Sequence, residues 1–157
     1  MNVLILCTGN SARSILAEAL LNARGAGRIQ AYSAGSHPRG EVHPLALAVL
    51  RTCELDTAGL RSKSWDEFTG EAAPRMDVVI TVCDQAAAEP CPLWPGAPVR
   101  VHWGLPDPAS VAGGEAERLA AFAQAFTFLE RRVELMLGLP LDFLSPDELQ
   151  QQLQAIA

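Results

Sequence analysis

The run Val3-Leu4-Ile5-Leu6 is apolar without a break, and the turn-forming residues Thr8-Gly9-Asn10-Ser11 follow almost at once. Ile15, Leu16, Ala19, Leu20 and Ala23 then recur at helical spacing, up to Gly25. A strand without polar alternation is covered on both faces. Such a strand, handed on to an amphipathic helix through a short turn, is the unit of an α/β fold. The unit repeats. Residues 28–33 read as a second strand, followed by a loop between Gly35 and Gly40. Pro44 suits a first helical position, with Leu45, Ala48, Val49 and Thr52 on one face. Ser64 and Glu67 resemble a capping box on a short helix. Residues 78–82 form another buried strand, ending at Cys83, and residues 99–102 a short fourth one beyond Pro90, Pro92, Pro95 and Pro98. Gly113-Gly114 opens a long helix whose face is Leu119, Phe122, Phe126, Leu129, Val133 and Met136; Gly138 and Pro140 close it. Ser145-Pro146-Asp147-Glu148 starts a last short helix.

Four strands alternating with helices predict a single-domain parallel sheet with right-handed crossovers. Ligands of such sheets bind beyond the carboxyl ends of the strands. Cys7 and Cys83 each follow a buried strand, so both are expected on that edge. A length of 157 residues suits one domain. The net charge of −6 gives none of the basic surplus of a nucleic-acid binder. No apolar run reaches the ~18 residues of a membrane span, and the N-terminal stretch lacks a basic n-region and a cleavage site. The expected address is the cytoplasm. The four cysteines, at 7, 53, 83 and 91, contain no CxxC, and the three histidines lack ligand spacing. In a reducing compartment such cysteines are buried filler or working thiols. Cys53, at a helix end without a partner motif, reads as filler.

Cys7-Thr8-Gly9-Asn10-Ser11-Ala12-Arg13-Ser14 is a Cys-x5-Arg run between a strand and a helix. Successive backbone N–H groups in such a loop converge on an anion, and the helix N-terminus adds its own donors and partial positive charge. Arg13 offers a planar fork to two oxygens. The same field is expected to hold Cys7 as a thiolate, with Ser14 donating to it. Residues 8–13 would bind the oxyanion and Cys7 would attack it.

This run resembles the phosphate loop of the low-molecular-weight protein tyrosine phosphatase superfamily, and more closely that of the arsenate reductases built on the same fold. The resemblance continues through Ser33-Ala34-Gly35-Ser36-His37-Pro38, Ser62-Lys63-Ser64-Trp65, Thr81-Val82-Cys83-Asp84, Cys91-Pro92 and His102-Trp103-Gly104-Leu105-Pro106-Asp107-Pro108. It implies a four-stranded parallel sheet flanked by helices, with a phosphatase-like arsenate reductase domain over residues 1–139 and a C-terminal helical extension over 140–157. It implies arsenate as substrate, with phosphate and sulfate as mimics, and no bound cofactor. Some relatives bind potassium through residues matching Asn10, Glu18 and Ser33 plus a downstream aspartate. Ser64 stands near that last position, so no metal is expected.

The resemblance also assigns a thiol relay. Cys7 attacks arsenate, Cys83 attacks Cys7 and releases arsenite, and Cys91 attacks Cys83. A thioredoxin- or glutaredoxin-type reductant then resets the Cys83–Cys91 disulfide. Across eight residues of helix the two cysteines would lie ~12 Å apart, and a disulfide needs Cα atoms within ~7 Å. The segment must therefore unwind or move on oxidation. Residues 86–89 can hold one helical turn, and Pro90 and Pro92 disfavour helix at Glu89 and Cys91. Thioredoxin-coupled members carry six residues between these cysteines; this chain has seven, Asp84 to Pro90, which leaves the electron donor open.

Asp107, before Pro108, matches the acid that protonates the leaving group in the phosphatases. The residues after it are Ala109 and Ser110, where phosphatases carry rings that clamp phosphotyrosine, and the chain's only tyrosine is Tyr32. A small inorganic oxyanion fits better. Asn10 is expected to fix the loop through Ser33 or Ser36, and His102-Trp103 to pack near the pocket. Two other readings stay open: a phosphatase acting through a Cys7 phosphoenzyme, and a non-catalytic oxyanion or redox sensor.

Overall fold

The apolar runs become the strands. A computed structural model describes residues 1–90, 92 and 94–157. Strands β1 (Asn2–Leu6), β2 (Gln30–Ala34), β3 (Val78–Thr81) and β4 (Val99–His102) form one parallel sheet in the order β2-β1-β3-β4. Side chains on a strand alternate between faces. Val3, Ile5, Val78, Ile80 and Val101 therefore share one core, with helices α1 (Arg13–Arg24), α2 (Pro44–Thr52) and α4 (Glu115–Leu137) packed against them. Leu4, Leu6 and Val79 point the other way, onto Phe68, Met76 and Trp94. Both faces are covered, which is why the strands lack polar alternation.

Several elements differ in detail from the expectation. β2 begins at Gln30 because a turn at Gly25, closed by Arg28 and Ile29 N–H groups on the Gly25 carbonyl, still occupies 28–29. Leu119 is 39% exposed and leaves the long helix's face, while Phe122, Phe126, Leu129, Val133 and Met136 are buried. Ser64 does cap, accepting from the Asp66 N–H at 3.1 Å, but on a 3-10 turn over Trp65–Phe68. Glu67 turns away to pair with Arg61 instead of completing a box. His43 accepts from the Leu45 N–H at 3.1 Å and caps α2.

The C-terminal helix α5 (Pro146–Ile156) packs on β4, burying Leu149 and Leu153 in the main core. The Gln154 amide takes the N–H of His102 at 2.9 Å and donates to its carbonyl at 2.9 Å. Gln150 donates to the Arg100 carbonyl at 3.1 Å. The two amides thus stand in for a neighbouring strand along the sheet edge. Among the described residues no helix is long and apolar enough to cross a membrane.

Candidate active site

In the order β2-β1-β3-β4 the chain turns outward in opposite directions from β1. Open α/β sheets place their ligands at such a switch point. β1 and β3 are neighbours with Leu6 opposite Thr81, so the segments that leave them run side by side. Cys7 and Cys83 therefore meet at one edge, as their positions after strands predict. A cavity of about 510 Å³ opens there, lined by Cys7, Gly9, Arg13, Cys83 and Asp107 among others. A smaller one of about 40 Å³ sits within the loop itself, bounded by residues 9–13 together with Cys7 and Asp107.

The loop holds its shape through buried polar contacts. Asn10 has φ 43°, a left-handed conformation that asparagine tolerates. Its amide donates to Ser14 Oγ at 2.8 Å and to Ser33 Oγ at 3.0 Å, and its Oδ1 accepts from the Lys63 N–H at 2.9 Å. Ser33, one of the two expected partners, passes the network on to Glu18 Oε1 at 2.6 Å. Lys63 Nζ lies 3.5 Å from the same carboxylate and donates to the Arg61 carbonyl at 3.1 Å. Burial draws the Lys63 ammonium below its usual range, and Glu18 pulls it back up. Lys63 and Glu18 are each only 8% exposed. Removing one partner of a buried ion pair strands the other. Lys63→Met is expected to lower stability by about 3 kcal/mol in chemical denaturation.

Gly35 is required for the second strand to approach the loop: a Cβ there would lie 2.6 Å or less from the Cys7 and Thr8 carbonyl oxygens. That close approach lets residues beyond β2 reach the site, where His37 N–H donates to Thr8 O and Arg39 N–H to Gly9 O, both at 3.0 Å.

Cys7 and Cys83 are buried beside one cavity, close enough that each shifts the titration of the other. Cys83 Sγ also accepts from the Thr8 N–H and the Ala86 N–H, each at 3.4 Å, and lies 3.6 Å from Thr8 Oγ1. It caps the short helix α3 (Asp84–Ala88). These donors draw the Cys83 thiol down to about 5, the Cys7 contact contributing most. Cys7 moves upward, first because of the same contact and then through burial, against the pull of Arg13. Two thiolates in contact would repel, so the pair carries one charge, and the donors favour Cys83 as its seat. The loop field expected to act on Cys7 is present in Arg13 and the Gly9 amide, and a second thiol lies close by to share the charge. The Thr8 amide, expected to face the anion, donates to Cys83.

Arg13 heads α1, where its Nη1 donates to the Leu105 carbonyl at 3.0 Å and its Nη2 lies 3.9 Å from Asp107 Oδ2. Its Nε is buried without a partner among the described residues, a donor available to an oxyanion at the loop. Asp107 Oδ1 accepts from the Ala109 N–H at 3.0 Å, holding the carboxylate at the cavity wall. Arg132 of α4 binds the Trp103 and Gly104 carbonyls at 3.0 and 3.1 Å and so fixes the segment that carries Leu105 and Asp107. Nothing local in the sequence singles out Arg132.

Ser11 and Ala12 line the inner cavity. Ser14 is fully buried and bonded to Asn10; among the described residues it makes no hydrogen bond to Cys7. Cys91 lies outside the described residues. Glu89 is extended at the end of α3, as Pro90 predicts, and accepts from Thr8 Oγ1 at 2.9 Å. Cys53 is exposed, not buried filler. His102 bonds Asp84 Oδ1 at 2.9 Å and Thr81 Oγ1 at 2.7 Å, bracing the start of α3, whereas Trp103 points its Nε1 to the Leu153 carbonyl of α5. Tyr32 packs with its ring tilted against Phe68, centroids 5.5 Å apart, in the layer across the sheet from the main core. Among the described residues no group of three or more His, Cys, Asp or Glu side chains converges as a metal site.

A cysteine and an arginine framing an anion loop at the carboxyl edge of a four-stranded parallel sheet define a phosphatase-type oxyanion site. The chain belongs to the low molecular weight phosphotyrosine protein phosphatase family, whose model matches residues 2–155. Within that family its similarity is to arsenate reductases. The arsenate reductase of Halalkalibacterium halodurans is 33% identical over 132 residues, covering 84% of this chain and 91% of the relative. A solved arsenate reductase in the phosphate-binding state superposes with a TM-score of 0.66 at 29% identity, over 85% of this chain and 93% of the other. A thioredoxin-dependent arsenate reductase of Corynebacterium glutamicum superposes with a TM-score of 0.56 at 25% identity, over 85% of this chain and 62% of the other.

Proposed function

We propose that this chain reduces arsenate to arsenite through Cys7 and Cys83, in the cytoplasm. The observation that carries the reading is the second thiol: Cys83 shares the cavity with the loop nucleophile, its Sγ accepting from the Thr8 amide of the loop itself. Simple ester hydrolysis has no use for it.

Arsenate binds in the loop, with Arg13 Nε and the amides of residues 9–13 on its oxygens. Cys7 attacks arsenic and its proton passes to Cys83. One arsenic–oxygen bond breaks, with Asp107 placed to deliver the proton that lets the oxygen leave as water. Arsenic is still As(V) in the Cys7–S–As adduct. Cys83 sulfur then attacks Cys7 sulfur. The sulfur–arsenic bond breaks with its electron pair on arsenic, which departs as arsenite, and the Cys83 proton goes to an arsenite oxygen. Each sulfur has lost one electron and arsenic has gained two. A third thiol, for which Cys91 is the candidate, attacks Cys83 to free Cys7, and an external dithiol reduces the last disulfide. The neighbour described as thioredoxin-dependent supports a thioredoxin-type donor; a glutaredoxin-type donor is the alternative.

The test is arsenate-dependent NADPH oxidation, coupled first to thioredoxin and its reductase, then to glutathione and glutaredoxin. Turnover in one coupled system is expected. Phosphate-ester hydrolysis without arsenate turnover in either would overturn the reading.

A further inference from the structure

We propose that Arg39 is a second guanidinium of the oxyanion site, a binding residue that captures the tetrahedral dianion and hands it to Arg13. The inference rests on the reading that residues 8–13 hold an oxyanion, and adds a residue outside that run.

The backbone of Arg39 is tied to the loop by its N–H on the Gly9 carbonyl at 3.0 Å. Ser62 Oγ holds both sides of that junction, accepting from the Gly40 N–H and donating to Gly9 O, each at 3.2 Å. The side chain then lies across Gly9. A Cβ at that glycine would stand 3.2 Å from Arg39 Nε and 3.4 Å from its Cγ, so the bare glycine is what lets the arginine settle against the loop. Arg39 lines both the outer cavity and the small inner one, facing Cys7, Arg13 and Asp107.

The two arginines are differently committed. Arg13 is held by the Leu105 carbonyl and lies near Asp107. Among the described residues no carboxylate lies within ion-pair distance of Arg39, and its guanidinium makes no hydrogen bond. A long cationic side chain fixed at its base and unpaired at its tip suits an incoming anion rather than a structural partner. The need is electrostatic. The chain carries −6 overall, and Asp84 and Asp107 line the same cavity. A dianion approaching these groups is repelled, while a charge at the rim raises the encounter rate and offsets the second negative charge.

The experiment compares Arg39→Met, which keeps the length, with Arg39→Lys. Arsenate KM is measured by steady-state turnover. Phosphate affinity is measured separately, as protection of Cys7 and Cys83 from alkylation. Arg39→Met is expected to weaken both about tenfold, with the smaller effect on kcat, and to flatten the dependence of phosphate affinity on ionic strength. Arg39→Lys should recover part of the loss and the salt dependence. Unchanged phosphate affinity and salt dependence in Arg39→Met would overturn the proposal. So would a fall in kcat at unchanged KM, which would mark a structural role. Absence of arsenate turnover in the unmodified chain would sink the reductase reading, yet phosphate protection would still decide on Arg39.

Discussion

Cys7→Ser is expected to abolish arsenate reduction, lowering turnover by at least about 10³-fold. The loss is not one of folding, since serine is close in size and Asn10, Ser33 and Glu18 hold the loop without the thiol. It is chemical. A serine hydroxyl is a weak nucleophile, and a serine–arsenic adduct cannot be resolved by forming a disulfide. Phosphate binding should survive, because the loop amides, Arg13 and the proposed Arg39 are all left in place. Arsenite production measured beside phosphate affinity separates the two effects. Substantial arsenite formation in this variant would remove Cys7 from the reaction. Cys7→Ala makes a finer test. The Cys7 contact is the largest influence drawing Cys83 down to about 5. Without it the Cys83 thiolate should form only at higher pH, read as a shift in thiolate ultraviolet absorbance.

Cys83→Ser is expected to stop arsenate reduction as completely, but for a different reason. Without the neighbouring thiol that pushes it up, Cys7 is left to the pull of Arg13 and the Gly9 amide and ionises itself, so it can still form its arsenic adduct and, with a phosphate ester, a phosphoenzyme that water hydrolyses. Reduction is lost because no second sulfur takes the electron deficit. Residual ester hydrolysis should therefore persist while arsenite release disappears. The pH profile carries the same information. In the unmodified chain the single charge of the pair is in place once pH rises above about 5. Turnover should fall as pH drops through that value, since both thiols are then protonated and Cys83 cannot take the Cys7 proton. If Cys83→Ser retained its arsenite output, the two-thiol account would be wrong.

Much of this was legible in the residues because burial leaves a simple mark. Strands β1 and β3 have water on neither face, so their apolar runs stand out. Cys7 and Cys83 follow those runs directly, which put them on one edge before any contact was known. Asn10 announced the side-chain bonding that fixes the loop, and Pro90 the end of α3. What escaped depends on contacts through space. The charge on the thiol pair is set by Cys83 lying close to Cys7 across 75 intervening positions, and by the Thr8 and Ala86 amides. Lys63 reads as a surface lysine until Glu18 is found beside it. Arg39 reads as part of a loop until its amide is seen on Gly9. Leu119 keeps the helical period and yet is 39% exposed, at the rim of a surface groove it shares with Val49 and Phe126. Gln154 became an edge clamp only once α5 had docked on β4.

The most direct test is a single turnover without external reductant in Cys91→Ser, which removes the third thiol of the proposed relay. Arsenate is added to the reduced chain, arsenite is counted, and the disulfides are mapped by peptide mass. The account predicts about one arsenite per chain and a trapped bond between Cys7 and Cys83. Arsenite released while that bond is missing, or no arsenite with both thiols still reduced, would contradict it.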